Sequence, residues 1–174
     1  MRALDQGTGH LVWEYHTHGA IQGPIAAANG AVYFGSGDGY VYAVRESRAK
    51  LLWRRRTGAA VQSVAAVENG LLAASLDNFV YFLSFKRGTL VWRRQLPGRV
   101  PARPVTTPDG ALFTPLSTDS AIVLSLRDGK TVNALSLGEE NSSSAAPLAV
   151  ENSVFIPTSH GLLAFAAPQQ KAGP

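Results

Sequence analysis

Short apolar runs separated by Gly, Asn, Asp and Ser recur along the chain, and within each run apolar and polar positions tend to alternate. A period of two predicts strands, and no window carries a convincing stripe of period 3.6, so the chain reads as all-β. The first stretch divides into four short strands, Gln22–Ala28, Ala31–Gly35, Tyr40–Val44 and Leu51–Arg55. Two-residue turns punctuate the runs at Asn29-Gly30, Asn69-Gly70, Asp109-Gly110 and, more weakly, Asn152-Ser153. Such pairs suit type I′ hairpins, whose twist matches the strands they join. Further turns are expected at Gly37-Asp38-Gly39, Asp77-Asn78, Ser117 to Ser120 and Ser159-His160-Gly161.

The same pattern repeats. Ala3 to Trp13, Ala43 to Trp53, Phe82 to Trp92 and Val123 to Asn133 align, with starts 40, 39 and 41 residues apart and a fifth start at Ala164. Gly occupies the seventh place in three units (Gly9, Gly88, Gly129) and Trp the eleventh in three (Trp13, Trp53, Trp92). Four strands in a period near forty are the mark of a β-propeller blade. The chain is therefore expected to be four blades of four strands, possible as half of an eight-bladed ring. Residues 1–167 would form this domain and residues 168–174 a tail. The innermost strands should line the axis, which suits the small or β-branched residues at 25–28, 64–67, 104–107 and 147–150. Pro24, Pro104 and Pro147 align there, with Val64 in the second unit, and a recurring proline implies a strand edge.

The motif built on Ala3, Asp5, Thr8, Gly9 and Trp13 resembles the repeat of pyrroloquinoline-quinone-type propellers. That superfamily contains quinoprotein alcohol dehydrogenases, a barrel-assembly lipoprotein and many modules without known catalysis. The resemblance spans about residues 3–167, though only the first unit keeps the whole motif. The second has Arg45, Arg48 and Ala49 where Asp, Thr and Gly are expected, and the fourth has Asn133 in place of Trp. The resemblance implies that Trp13, Trp53 and Trp92 are structural, each docking one blade on the next. It also implies a periplasmic or extracytoplasmic setting. The dehydrogenase branch would bring a quinone, calcium, adjacent cysteines and an acidic catalytic residue. This chain has no Cys and no acidic cluster matching that calcium site, so no cofactor is expected. A likeness of fold does not carry function across.

Composition narrows the chemistry further. Without Cys there is no disulfide framework and no thiolate. The longest apolar run is six residues, Leu162 to Ala167, and the N-terminus has no apolar stretch. Neither a bilayer-spanning helix nor an export signal is expected from these residues. His16, His18 and Glu14 share one strand face in the manner of a zinc site, but an exposed outer strand with polar residues is the preferred reading and no metal is expected. Gly35 to Gly39 is a hairpin rather than a phosphate loop, because no helix follows it, and no nucleophile elbow is present.

Charge is more telling. Residues 45–103 hold twelve Lys and Arg against three acids, a net of +9, and the remainder carries −5. Arg54, Arg56, Arg93 and Arg94 follow the tryptophans onto outer strands and are candidates for binding an acidic protein partner. Exposed strands also use charge simply to resist edge-to-edge pairing. Nucleic acid is disfavoured, since no reading motif or interleaved aromatics accompany the arginines. Gln22 and Gln62, with Arg99 and Arg103, mark the mouth of the axis as a second candidate surface. Strand Leu11–Tyr15 is expected to complete the blade begun between Ala145 and Ala166, either within one molecule or between two copies in an eight-bladed homodimer. The third possibility is that the chain belongs to a longer ring. The function expected is a non-catalytic, protein-binding scaffold, the alternative being half of a quinone-dependent dehydrogenase.

Overall fold

A computed structural model describes residues 1–166, all of whose regular structure is β. The expected boundary at 167 and the tail 168–174 lie outside the described residues. Three complete antiparallel blades follow one another. The first comprises β3 (Ala26–Ala28), β4 (Ala31–Gly35), β5 (Tyr40–Arg45) and β6 (Leu51–Arg56). The second comprises β7 (Val61–Val67), β8 (Gly70–Ser75), β9 (Phe79–Leu83) and β10 (Leu90–Gln95). The third comprises β11 (Val105–Thr106), β12 (Gly110–Phe113), β13 (Ser120–Ser125) and β14 (Thr131–Ser136). They are flanked by a pair, β1 (Arg2–Leu4) and β2 (Leu11–Glu14), and a trio, β15 (Leu148–Val150), β16 (Ser153–Thr158) and β17 (Gly161–Ala166).

Each blade buries both faces, one against its predecessor and one against its successor. Tyr33, Val41, Ala43 and Trp53 of the first blade share a core with Val61, Val64, Leu71 and Tyr81 of the second. Leu72, Val80 and Phe82 then meet Val100, Phe113 and Leu124 of the third. The opposite face of the first blade, Val32, Phe34, Tyr42 and Val44, is covered by Met1, Tyr15 and Ile21. Strands buried on both faces explain the near-continuous burial of β4 and β8. They alternate less cleanly than a half-exposed sheet would.

Several local expectations need correcting. Asn29 and Gly30 have φ of 51° and 69°, the pair of positive values a type I′ turn requires. The next blade differs: Val67 pairs with Gly70, so Glu68-Asn69 form the turn and the glycine follows it. Gly70 is needed for close approach instead, because a methyl there would lie 2.7 Å from the Leu83 carbonyl oxygen. The innermost strand starts at Ala26 rather than Gln22. By register, Ile25 rather than Pro24 aligns with Val64, Pro104 and Pro147.

The expected closure is not made within this chain. Leu11–Glu14 pairs with Arg2–Leu4, and no strand pairing joins β2 to β17 among the described residues. The reason lies in the repeat. Both Ala3 and Ala164 open a unit, so β1 occupies the same third-strand place that β17 holds. β1 therefore takes the edge of β2 that β17 would need.

Candidate functional site: the outer strands and the axial mouth

The three tryptophans set the geometry of the outer wall. Each indole Nε1–H donates to a turn carbonyl in the following blade: Trp13 to Glu46 at 2.7 Å, Trp53 to Phe85 at 2.7 Å and Trp92 to Leu126 at 2.9 Å. The glycine of each receiving turn is where the ring lands. A methyl on Gly88 would lie 2.4 Å from Trp53, and one on Gly129 2.5 Å from Trp92, and both glycines have positive φ. Ala49 takes this place for Trp13 and adopts φ 53°, which accounts for the departure from the repeat without changing the turn.

Immediately before each eleventh position the outer strand slips register. The unpaired residue is Val12, Leu52, Val91 or Val132. All four are aliphatic and exposed, by 58, 39, 54 and 62%. A bulge leaves its extra residue out of the ladder and bends the strand locally. Each therefore projects an apolar side chain from the wall.

Beyond the tryptophans run the arginines. Arg54 lies over the Tyr40 ring at 4.8 Å and Arg93 over the Phe79 ring at 5.1 Å, so successive blades hold a guanidinium in the same pose. Tyr40 faces Arg56 and Tyr42 faces Arg54 in the ladder, so this contact is the diagonal neighbour of a strand pair. Arg54, Arg56 and Arg93 are exposed. Arg94 differs: it is half-buried and its Nε donates to the Gly129 carbonyl at 2.6 Å, bridging two blades. Arg94 therefore contributes to blade docking, unlike the exposed Arg54, Arg56 and Arg93. None of the twelve basic residues between 45 and 103 joins an ion pair among the described residues.

At the axial mouth Gln22 is exposed and Gln62 half-buried. The linker before β3 touches β7 here, because a methyl on Gly23 would lie 1.9 Å from the Gln62 carbonyl oxygen. Arg99 and Arg103 are exposed on the linker before β11, where the Arg99 carbonyl accepts from the Leu116 amide. Gln22, Arg99 and Arg103 thus lie on linkers into innermost strands, whereas Gln62 lies within one, on β7. Glu14 accepts from Arg2 at 2.9 Å and lies 3.6 Å from His16 Nε2. The His18 backbone amide donates to Asp38, and among the described residues no three His, Asp or Glu side chains come together as they would to hold a metal ion.

Two carboxylates in equivalent hairpin turns are engaged by the fold. Asp38 accepts from the Tyr42 hydroxyl at 2.7 Å and from the amides of Tyr40 and His18. Asp77 accepts from the Tyr81 hydroxyl at 2.6 Å and the amides of Gly58 and Phe79. Burial works against the Asp38 charge, yet hydrogen bonds led by Tyr42 hold its carboxyl below the usual range. Burial, then Asp38, pushes the Tyr42 hydroxyl up to about 12.

A family described as the outer membrane protein assembly factor BamB matches residues 1–172. The chain belongs to the BamB family. Its propeller repeat is the pyrroloquinoline-quinone-type repeat expected from the sequence. The crystal structure of BamB from Moraxella catarrhalis superposes with a TM-score of 0.79 at 16% identity, covering 91% of this chain and 50% of that one. The computationally designed Ika4 protein superposes at 0.77 and 13% identity, covering 91% of this chain and 99% of the design. Identities this low show the fold alone. A quinoprotein ethanol dehydrogenase from Pseudomonas aeruginosa is 38% identical over 64 residues, which is 36% of this chain and 10% of the enzyme. This BamB-family chain thus spans half of the BamB chain it superposes on and a tenth of its dehydrogenase relative.

Sequence reading missed the aromatic shelves under Arg54 and Arg93 and the aliphatic bulges. Both were detectable in outline: Tyr40 and Phe79 occupy equivalent places, and an aliphatic residue precedes every eleventh position.

Proposed function

We infer that the chain works as a non-catalytic scaffold that binds protein partners. The observation that carries this reading is the extent of each likeness. The BamB family match runs through residues 1–172, whereas the dehydrogenase match stops at 64 residues. A repeat-length match shared with an enzyme is what common blade architecture would give. The engagement of Asp38 and Asp77 in tyrosine and backbone hydrogen bonds supports function without quinone or calcium. An extracytoplasmic, periplasmic setting follows from the same family reading. The test is titration of the chain with pyrroloquinoline quinone and calcium, read by absorbance. No saturable change is expected, and stoichiometric uptake would overturn the scaffold reading.

The dehydrogenase-half reading is favoured by one observation, the 38% identity to a quinoprotein ethanol dehydrogenase, and the same titration decides it. We also propose that two copies share one ring. Leu148, Val150 and Leu162 are exposed by 60, 46 and 64%. In register they match Ala26, Ala28 and Val41, on the face of the first blade that its successor covers. Light scattering should return twice the 18.4 kDa of one chain; a monomer mass at high concentration would refute the pairing.

A further inference from the structure

We propose that the outer wall of the first two complete blades, centred on Arg54 and Arg93, docks an extended acidic and aliphatic segment of a partner protein. This rests on the scaffold reading and specifies which surface does the work and what chemistry it accepts.

The position held by Arg54 and Arg93 is Glu14 on β2, already paired with Arg2, and Ala134 on β14. The shelf held by Tyr40 and Phe79 is Ser120 on the third blade. The arginine-on-aromatic arrangement is thus confined to two adjacent blades within a wall that otherwise repeats. Charge used only to resist edge-to-edge pairing would be found on every outer strand, and β14 carries none between Thr131 and Ser136.

Next comes the pose. A guanidinium resting on an aromatic face loses part of its rotamer freedom before any partner arrives, and its N–H edge stays available for bidentate contact with a carboxylate. Two such groups, in equivalent positions on neighbouring blades, form a pair of preset anion contacts. Exposed Arg48, Lys50, Lys86 and Arg87 lie in connections of the same two blades and, with exposed Arg45 at the end of β5, extend the positive field. Their lack of ion-pair partners leaves that field unneutralised within the described residues.

Apolar contact adds a second requirement. Leu51, Leu52, Leu90 and Val91 are exposed by 38, 39, 36 and 54%, and each pair lies at the start of the strand whose later residues carry the arginines. A ligand matching both must alternate acidic and aliphatic groups along its length, which an extended polypeptide does naturally. β6 and β10 are also the last strands of their sheets, and their open backbone edges can pair with a polypeptide but not with lipid.

The experiment uses the whole chain and a fluorescent peptide of alternating Glu and Leu, with a Lys–Leu peptide and phosphatidylglycerol vesicles as other probes. Expected is saturable binding of the Glu–Leu peptide that weakens with salt and is lost by about tenfold or more in the Arg54→Glu/Arg93→Glu double variant. Leu52→Ser/Val91→Ser should also weaken it while leaving the salt dependence unchanged. Melting curves identify any variant that fails to fold, and Arg54→Gln/Arg93→Gln then serves in its place. Equal peptide binding by the folded variants, equal binding of the Lys–Leu peptide, or binding to vesicles alone would overturn the proposal. If binding instead responds to Gln22, Gln62, Arg99 or Arg103, the wall is excluded while the scaffold reading stands.

Discussion

Gly88→Ala tests how far the blades are held together through the tryptophan seats. The new methyl would lie 2.4 Å from Trp53 Cε3 and 2.6 Å from Cδ2, on a backbone with φ +63°. The left-handed conformation costs an L-residue about 1–2 kcal/mol, and forced overpacking typically about 1–3 kcal/mol. Together they predict a loss of about 2–5 kcal/mol. Gly9→Ala is the matched control, because Gly9 has φ +72° with nothing within 4 Å of the added methyl. It should lose only the conformational part, about 1–2 kcal/mol. Urea unfolding read by tryptophan fluorescence gives both values. In thermal melts the Gly88 variant should fall by at least about 4 °C for a chain of this size. In a Trp53→Ala background, Gly88→Ala should cost no more than Gly9→Ala, since the ring it strikes is gone. Equal losses for the two single variants would show that the seat carries no packing energy, and the account of blade cohesion given above would be wrong.

Other expectations follow from the same contacts. Trp53→Ala should destabilise by about 3–5 kcal/mol, and Trp13→Ala by less, because Trp13 is only half-buried; calorimetry ranks them. Arg94→Ala should lose about 1.5–3 kcal/mol through its charged hydrogen bond to Gly129, whereas Arg93→Ala should melt like wild type. The Tyr42 hydroxyl is raised from 10.0 to about 12, so its contribution is complete below pH 10 and lost as pH climbs towards 12. Asp38 is held low, so its contribution is present above the ordinary carboxylate range and lost as pH falls through its lowered value. A Tyr42→Phe variant should flatten the alkaline limb of a stability–pH curve, and an unchanged limb would count against the Asp38–Tyr42 pair.

Much of the architecture was legible because it is encoded in spacing. Between them the eleventh-place Trp and the seventh-place Gly marked the outer strands, since indole and turn meet at one spot wherever the Trp is kept. The spacing is blind to single-residue slips. Asn69-Gly70 looks like Asn29-Gly30, yet the former glycine answers to Leu83 and Phe82 across the sheet rather than to the turn. Pro24 was one place out for the same reason: counting back from Asn29 and Asn69 treats the two turns as equivalent, whereas the register sets Ala28 against Val67. Closure failed for a related reason. Matching Leu11–Tyr15 to an outer strand was sound, but three residues at Arg2–Leu4 sufficed to form its partner. In the functional surface, charge was visible and posture was not. Four arginines in series gave no sign that Arg94 reaches Gly129 while Arg93 lies on Phe79.

That division of labour within a single strand is what makes a dedicated binding wall physically reasonable. On β10, Trp92 and Arg94 are half-buried and donate to carbonyls of the next blade, so blade cohesion is supplied by residues on one side. Val91 and Arg93 are exposed, and substituting them disturbs no interblade hydrogen bond. β6 repeats the scheme with Trp53 buried and Leu52, Arg54 and Arg56 exposed. Strand alternation separates the two sets, so the outward set is free to vary without unfolding the wall. On β14 the outward places are Val132, Ala134 and Ser136, so the fold does not require arginine there. Arginine on two blades and not the third is then a property of the surface rather than of the scaffold, and it is the outward set that should answer to a partner.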